Sequence, residues 1–256
     1  MYYVGLDSGS TTTKGILLYD GQIVDKVLLD TAGNPKRGMQ EIAETMIARN
    51  SLKENEIRLI TTGYGRKLMP ADLAVTEITC HAKGARYLDP EARKVIDIGG
   101  QDCKTIALAE QGMVSDFNMN DKCAAGTGRF VEVMMRTLGQ ELQHLDAFVK
   151  EAQPTPINSM CTVFAESEII SLLANGSNPG DIALGVLHSI ARRISNQFAK
   201  LGGGSFDRVL FTGGLSRSEA FTAVLAQHLS VQVLTHDLSQ YAGALGAALV
   251  GEAKLK

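Results

Sequence analysis

Residues Asp7-Ser8-Gly9-Ser10-Thr11-Thr12-Thr13-Lys14 bring together what a phosphate chain needs: an acid, a glycine, a run of hydroxyls and a cation. Gly9 lets the backbone turn tightly and approach an anion without a Cβ in the way. The amides and hydroxyls of Ser10, Thr11, Thr12 and Thr13 can donate to phosphate oxygens, and Lys14 can offset the crowded charge. Asp7 is suited to hold the hydrated magnesium ion that accompanies a nucleoside triphosphate, since magnesium is usually bound through one or two carboxylates. The run is not a Walker A loop, because GxxxxGK[ST] is absent. Taken alone it reads equally well as a hairpin with a polar turn.

A second copy of the pattern changes the balance. Residues 4–18 (VGLDSGSTTTKGILL) and 95–108 (VIDIGGQDCKTIAL) share an apolar run, an Asp, a glycine turn, polar residues, a Lys and another apolar run. Each has the chemistry of a β-hairpin, turning at Gly9 or at Gly99-Gly100. Asp7 and Asp97 are therefore equivalent, and two such hairpins can clamp phosphates between them. A third element, Phe211-Thr212-Gly213-Gly214-Leu215-Ser216, has a strand–glycine pair–helix pattern that leaves bare backbone for a flat nucleoside. Small residues at helical spacing over 241–248 allow two helices to pack closely, as at a hinge; a plain core helix is compatible with this.

Two cysteines stand just before amphipathic stretches: Cys123 in NDKCAAGTGRF and Cys161 in SMCTVFAESE. Free amides and partial positive charge at a helix N-terminus favour the thiolate, the metal-ligating form. Buried cysteines at helix starts are the simpler alternative, as no CxxC is present. A four-iron cluster takes four thiolates. Either a two-fold homodimer supplies two from each copy, or Cys80 and Cys103 complete the set within one chain. Cys103 follows a phosphate loop in a strand and Cys80 opens another helix, so both read more simply as core. The histidines (His81, His144, His188, His228 and His236) show no metal-ligand spacing and read as surface or core. Glu166 and Glu168 read as first-turn acids that complement a helix dipole.

These residues need strands and helices in alternation to position them. Strands are expected near 23–29, 58–62, 73–78, 113–117, 208–211 and 231–234. Helices are expected over 39–49, 79–88, 127–142, 162–174, 181–201, from 216 and over 241–250. That order implies an α/β protein with mixed sheets. The 256 residues are 45% hydrophobic and carry a net charge of −3, leaving no basic surplus for a nucleic-acid backbone. No leader pattern precedes Asp7, and no apolar run reaches the roughly 18 residues of a membrane span. A cytoplasmic protein with no membrane partner is expected, its cysteines reduced.

Taken in order, the hairpins, the glycine pair and the small-residue helix resemble the ATPases of the actin, hexokinase and heat-shock chaperone type. The resemblance implies two duplicated ribonuclease-H-like lobes with ATP or ADP and Mg2+ in the cleft between them: residues 1–92 plus 240–256, and residues 93–239. Asp7 and Asp97 would serve magnesium and the attacking water, with Gln101 orienting that water. Ser10 to Lys14 and Gly99, Gly100 and Gln101 would hold phosphates, while Gly213, Gly214 and Gln240 would flank the nucleoside. DIGGQD, NDKCAAGTGRF, CTVFAESE, TTGYGR (61–66) and QYAGALGA (240–247) further resemble the ATP-dependent activators of 2-hydroxyacyl-CoA dehydratases, whose family includes ATPase subunits of benzoyl-CoA reductase. In those activators the cysteines matching Cys123 and Cys161 bind one [4Fe-4S] cluster per homodimer, between helices forming a helix–cluster–helix element. Cys103 stands where that family often has an aliphatic residue. The resemblance implies electron delivery to a dehydratase or reductase component, with a flavodoxin or ferredoxin as donor. On the residues alone, a small-metabolite kinase or a nucleotide-switched binding module on the same lobes remains the rival.

Overall fold

The computed structural model describes residues 1–121, 126–159, 161–202, 204 and 206–255. Both hairpins form. β1 (Tyr2–Ser8) and β2 (Thr12–Tyr19) run antiparallel with Asp7 opposite Lys14. A turn at Asp20-Gly21, both with positive φ, adds β3 (Gln22–Asp30). α1 (Pro35–Arg49) starts four residues earlier than expected, because the Arg37 amide donates to the Asn34 side chain (3.1 Å) and Pro35 suits the first turn. β4 (Ile57–Gly63) and β5 (Leu73–Ala74) complete a sheet of order β3-β2-β1-β4-β5. The strand expected to 78 stops at Ala74, where α2 (Glu77–Leu88) takes over.

The second half repeats this plan. β6 (Lys94–Ile98) and β7 (Cys103–Leu108) pair with Asp97 opposite Lys104, and β8 (Val114–Asn120) follows. α3 (Gly128–Thr137) is shorter than expected: Gly139, at φ 72°, ends it, and a 3-10 turn leads into α4 (Leu145–Val149). α5 (Thr162–Ala174) has its expected bounds, and α6 (Pro179–Phe198) starts at a proline capped by Asn178. β9 (Arg208–Gly213), α7 (Glu219–Leu229) and β10 (Gln232–Leu234) finish a sheet of order β10-β9-β6-β7-β8. The last helix is α8 (Ala242–Lys254). No helix among the described residues is long and apolar enough to cross a membrane.

The alternation within each central strand decides which way the acids point. Val4 and Leu6 pack on α1, whereas Tyr3 packs against α8 on the other face, the face that Asp7 shares. Ile96 and Ile98 join the large core under α3, α5, α6 and α7, whereas Val95 packs against α2, and Asp97 is on Val95's side. Both acids therefore face the layer between the sheets, which α2 and α8 fill. Those helices approach backbone to backbone. A Cβ on Gly84 would overlap the carbonyl oxygen of Ala242, and one on Gly246 would overlap that of Cys80. Gly246→Ala is therefore expected to lower the unfolding free energy by ~1–3 kcal/mol, read as a lower midpoint in urea; an unchanged midpoint would contradict this packing.

Candidate nucleotide cleft and cysteine helix

Asp97 is 2% exposed at the end of β6. Its Oδ1 accepts from Thr212 Oγ1 (2.8 Å) and lies 3.2 Å from His81 Nδ1; its Oδ2 lies 3.4 Å from Lys104 Nζ. Lys104 also meets Asp102 (2.7 Å) and Glu77 (3.1 Å). Burial alone would raise the Asp97 pKa. His81 and Lys104, with the Thr212 hydrogen bond and the Lys14 charge, outweigh burial and bring it from the ordinary 3.8 down to about 2. Burial likewise opposes the Lys104 charge, but Asp97, Asp102 and Glu77 raise its pKa well above the usual range. Asp7, also buried, lies 3.9 Å from Lys14 Nζ and beside the N-terminus of α8, where a Cβ on Gly243 would sit 2.7 Å from Asp7 Oδ2.

The two hairpin tips meet across the cleft. A Cβ on Gly100 would lie 3.0 Å from Ser10 Oγ and closer still to Thr11. Ser10, Thr11 and Gln101 are exposed at these tips, and Thr12 and Lys14 are half-buried. Thr13 points the other way, its hydroxyl 3.1 Å from that of Thr31, behind the hairpin. Gly213 turns at φ 89°, where a Cβ would overlap the Ile98 carbonyl, and its own carbonyl accepts from Ser216. Gly214 is exposed, and the nearest atom to a Cβ built there is Gln240 Nε2 at 3.9 Å. The Gly213–Gly214 and Gln240 segments thus border one open space, as a flat ring system requires. Ser8 Oγ, buried behind the first hairpin on the side that Thr13 faces, and His81 Nδ1, buried in the layer between the sheets, have no well-formed hydrogen bond. Asp7 and Asp97 at the strand ends, with Lys14 beside the first acid and exposed hydroxyls and amides at the hairpin tips, fit a phosphate chain and its metal ion.

Cys161 is exposed and occupies the N-cap of α5. Glu166 and Glu168 lie beyond the first turn, contrary to expectation. The Glu168 carboxylate reaches back to the amides of Asn158 (3.0 Å) and Ser159 (2.8 Å) and so fixes the approach to Cys161. Burial works against its charge, but these hydrogen bonds hold its pKa below the usual range. Cys123 lies outside the described residues. Cys80 and Cys103 are buried, and burial pushes the Cys80 thiol up to about 12 and the Cys103 thiol higher than usual as well. Both are poor thiolates. Among the described residues no group of three or more His, Cys, Asp or Glu side chains is placed to hold a metal ion.

Lys104, Glu77, Thr212 and His81 escaped the reading by motif. Lys104 was legible in principle, since the repeat aligns it with Lys14. The other three carry no local signal: Glu77 and His81 lie one helical turn apart on α2, and Thr212 reaches Asp97 from a neighbouring strand.

Two mixed sheets, each built on the same acid-bearing hairpin, with the acids facing one cleft, define an actin-like ATPase fold. The chain belongs to the BadF/BadG/BcrA/BcrD ATPase family, whose profile matches residues 4–251. It is 50% identical to the uncharacterized protein YjiL of Escherichia coli (strain K12), over 98% of this chain and 97% of that one. It is 42% identical to the activator of lactoyl-CoA dehydratase of Anaerotignum propionicum, over 97% and 96% of the two chains. Among solved structures, the activator of the 2-hydroxyisocaproyl-CoA dehydratase from Clostridium difficile with bound ADPNP superposes with a TM-score of 0.92 at 38% identity, covering 100% of this chain and 96% of that one.

Because the folded state holds Asp97 below 3.8, its contribution to stability is present above about pH 4 and is lost as the pH falls toward about 2. Lys104→Met strands this buried charge and is expected to cost ~3–5 kcal/mol in urea unfolding at pH 7. The deficit should narrow as the pH drops below about 4; a deficit independent of pH would show that Lys104 acts through packing alone.

Proposed function

We propose that the chain hydrolyses ATP between two lobes, residues 1–92 with 240–256 and residues 93–239, and uses the resulting motion to drive an electron into an acyl-CoA dehydratase or reductase partner. Ser10, Thr11, Thr12, Lys14, Gly99, Gly100 and Gln101 hold the phosphates, with Thr13 bracing the first hairpin from behind. Gly213, Gly214 and Gln240 flank the nucleoside. Asp7 holds Mg2+, while Asp97 and Gln101 orient the attacking water; in this role Asp97 is kept ionised by its cations. Bound nucleotide is what the solved activator with ADPNP supports.

One observation carries the link from nucleotide to cysteine. The amides of Gly128 and Arg129, at the start of α3, donate to the carbonyls of Gly99 (2.9 Å) and Gly100 (2.9 Å). Any shift of the second glycine turn on gain or loss of the γ-phosphate therefore pulls on the helix that follows Cys123. α3 in turn packs on α5, with Thr137 3.4 Å from Glu166. The first turn of α5 exposes Val163 (67%) and Phe164 (68%) beside Cys161, and Ile170 is exposed further along. An apolar face around an accessible thiol suits a contact between two copies of the chain. Cys123 and Cys161 of each copy hold one [4Fe-4S] cluster in this reading, which fits the accessible thiol and the free amides at the N-terminus of α5. When bound, that group supplies low-potential one-electron transfer, recharged by a flavodoxin or ferredoxin in the cytoplasm.

Iron, sulfide and subunit mass, measured on anaerobically purified protein, test this directly: about two irons per chain in a dimer are expected. Cys161→Ser is expected to abolish bound iron while leaving ADP affinity within about twofold; full electron delivery by that variant would exclude the cysteine's role. Asp97→Asn is expected to slow ATP turnover by about 100-fold or more, measured as phosphate release.

A further inference from the structure

α2 carries a histidine whose charge lowers the Asp97 pKa but whose place between the sheets the reading above leaves unexplained. His81 is buried, and its ring stands between the acids of the two sheets. Nδ1 lies 3.2 Å from Asp97 Oδ1. On the other side, a Cβ on Gly243 would sit 3.1 Å from His81 Nε2 and 2.7 Å from Asp7 Oδ2, so Nε2 and the Asp7 carboxylate border the same small space. The ring cannot easily withdraw. Its helix is held by the close backbone approaches of Gly84 to Ala242 and of Cys80 to Gly246, and one turn earlier Glu77 is tied to Lys104. Nδ1 meets Asp97 at ion-pair distance but not in line as a hydrogen bond, which is why it counts among the buried orphans.

We propose that His81 is a positioning residue for ATP hydrolysis, fixing Asp97 through Nδ1 and separating it from Asp7; this rests on the ATPase reading above. Two carboxylates facing one cleft repel, and without an insert between them each is free to take rotamers that suit its own cations rather than the water and the metal. Thr212 and Lys104 hold Asp97 from β9 and β7, both in its own sheet. His81 is the α2 side chain that meets Asp97 directly, where Glu77 does so only through Lys104, and α2 packs on α8, beside whose N-terminus Asp7 lies. A core-filling ring would not need Nδ1 directed at Asp97 and Nε2 beside the space that Asp7 borders.

The test compares three variants of the full chain, reading ATP turnover, thermal midpoint and affinity for a fluorescent ADP analogue. His81→Ala is expected to lower kcat by about 10- to 100-fold, as sub-ångström misplacement of a reacting group does, with ADP affinity changed by less than about threefold. The amide of His81→Asn reaches the place of Nδ1 and should recover kcat to within about fivefold of the unsubstituted chain; the amide of His81→Gln reaches the place of Nε2 and should not. His81→Ala turning over within about twofold of the parent, or His81→Asn no faster than His81→Gln, overturns the proposal. The second comparison stands even if the alanine variant does not fold. Absence of ATP turnover in the unsubstituted chain would remove the ATPase reading as well, which separates the two failures.

Discussion

A carboxylate cannot stay charged in a protein interior without compensation, and the centre of this molecule is arranged around that constraint. Asp97 is almost wholly enclosed, yet its pKa lies at about 2 because Lys104, His81 and Thr212 surround it from three different elements. Lys104 in turn is shared with Asp102 and Glu77, so the charges close on themselves within a few ångströms. Such a network is costly to leave incomplete. It therefore holds β6, β7, β9 and α2 in one relative position, the position that aims Asp97 at the cleft.

The layer between the sheets serves the same end by different means. Each sheet buries one face against its own helices and the other against α2 or α8. Because glycines remove the side chains at their crossing, α2 and α8 lie closer together than ordinary helices can. The acids at the ends of β1 and β6 are thus brought to one cleft although they are far apart in sequence. This crossing is where the two sheets are joined. The second glycine turn is bonded directly to the start of α3, and α3 packs on α5, the helix at whose N-cap Cys161 stands.

Cys161 and Cys80 show how environment sets two copies of one residue type apart. The exposed cysteine stands at the N-cap of a helix and is flanked by exposed apolar side chains, which water tolerates poorly. The buried one has a thiol raised to about 12 by desolvation and stays neutral, as does Cys103, whose thiol is raised for the same reason.

Local chemistry alone determined the hairpins, their glycine turns, the facing of Asp7 by Lys14 and the bounds of α5, because strand alternation and helix periodicity act over a few residues. The duplicated pattern even contained Lys104, once Lys14 was understood. Where local signals misled, a nearby group was the reason: Asn34 and Pro35 began α1 early, and Gly139 ended α3 before its apolar pattern did. Only the tertiary structure decided that His81 lies between two acids, that Glu77 reaches Lys104, that Glu168 secures the segment before Cys161 and that Thr13 faces away from the cleft. Those facts depend on which elements are neighbours across long stretches of chain. Periodicity within a helix or strand says which side is buried but not what it is buried against.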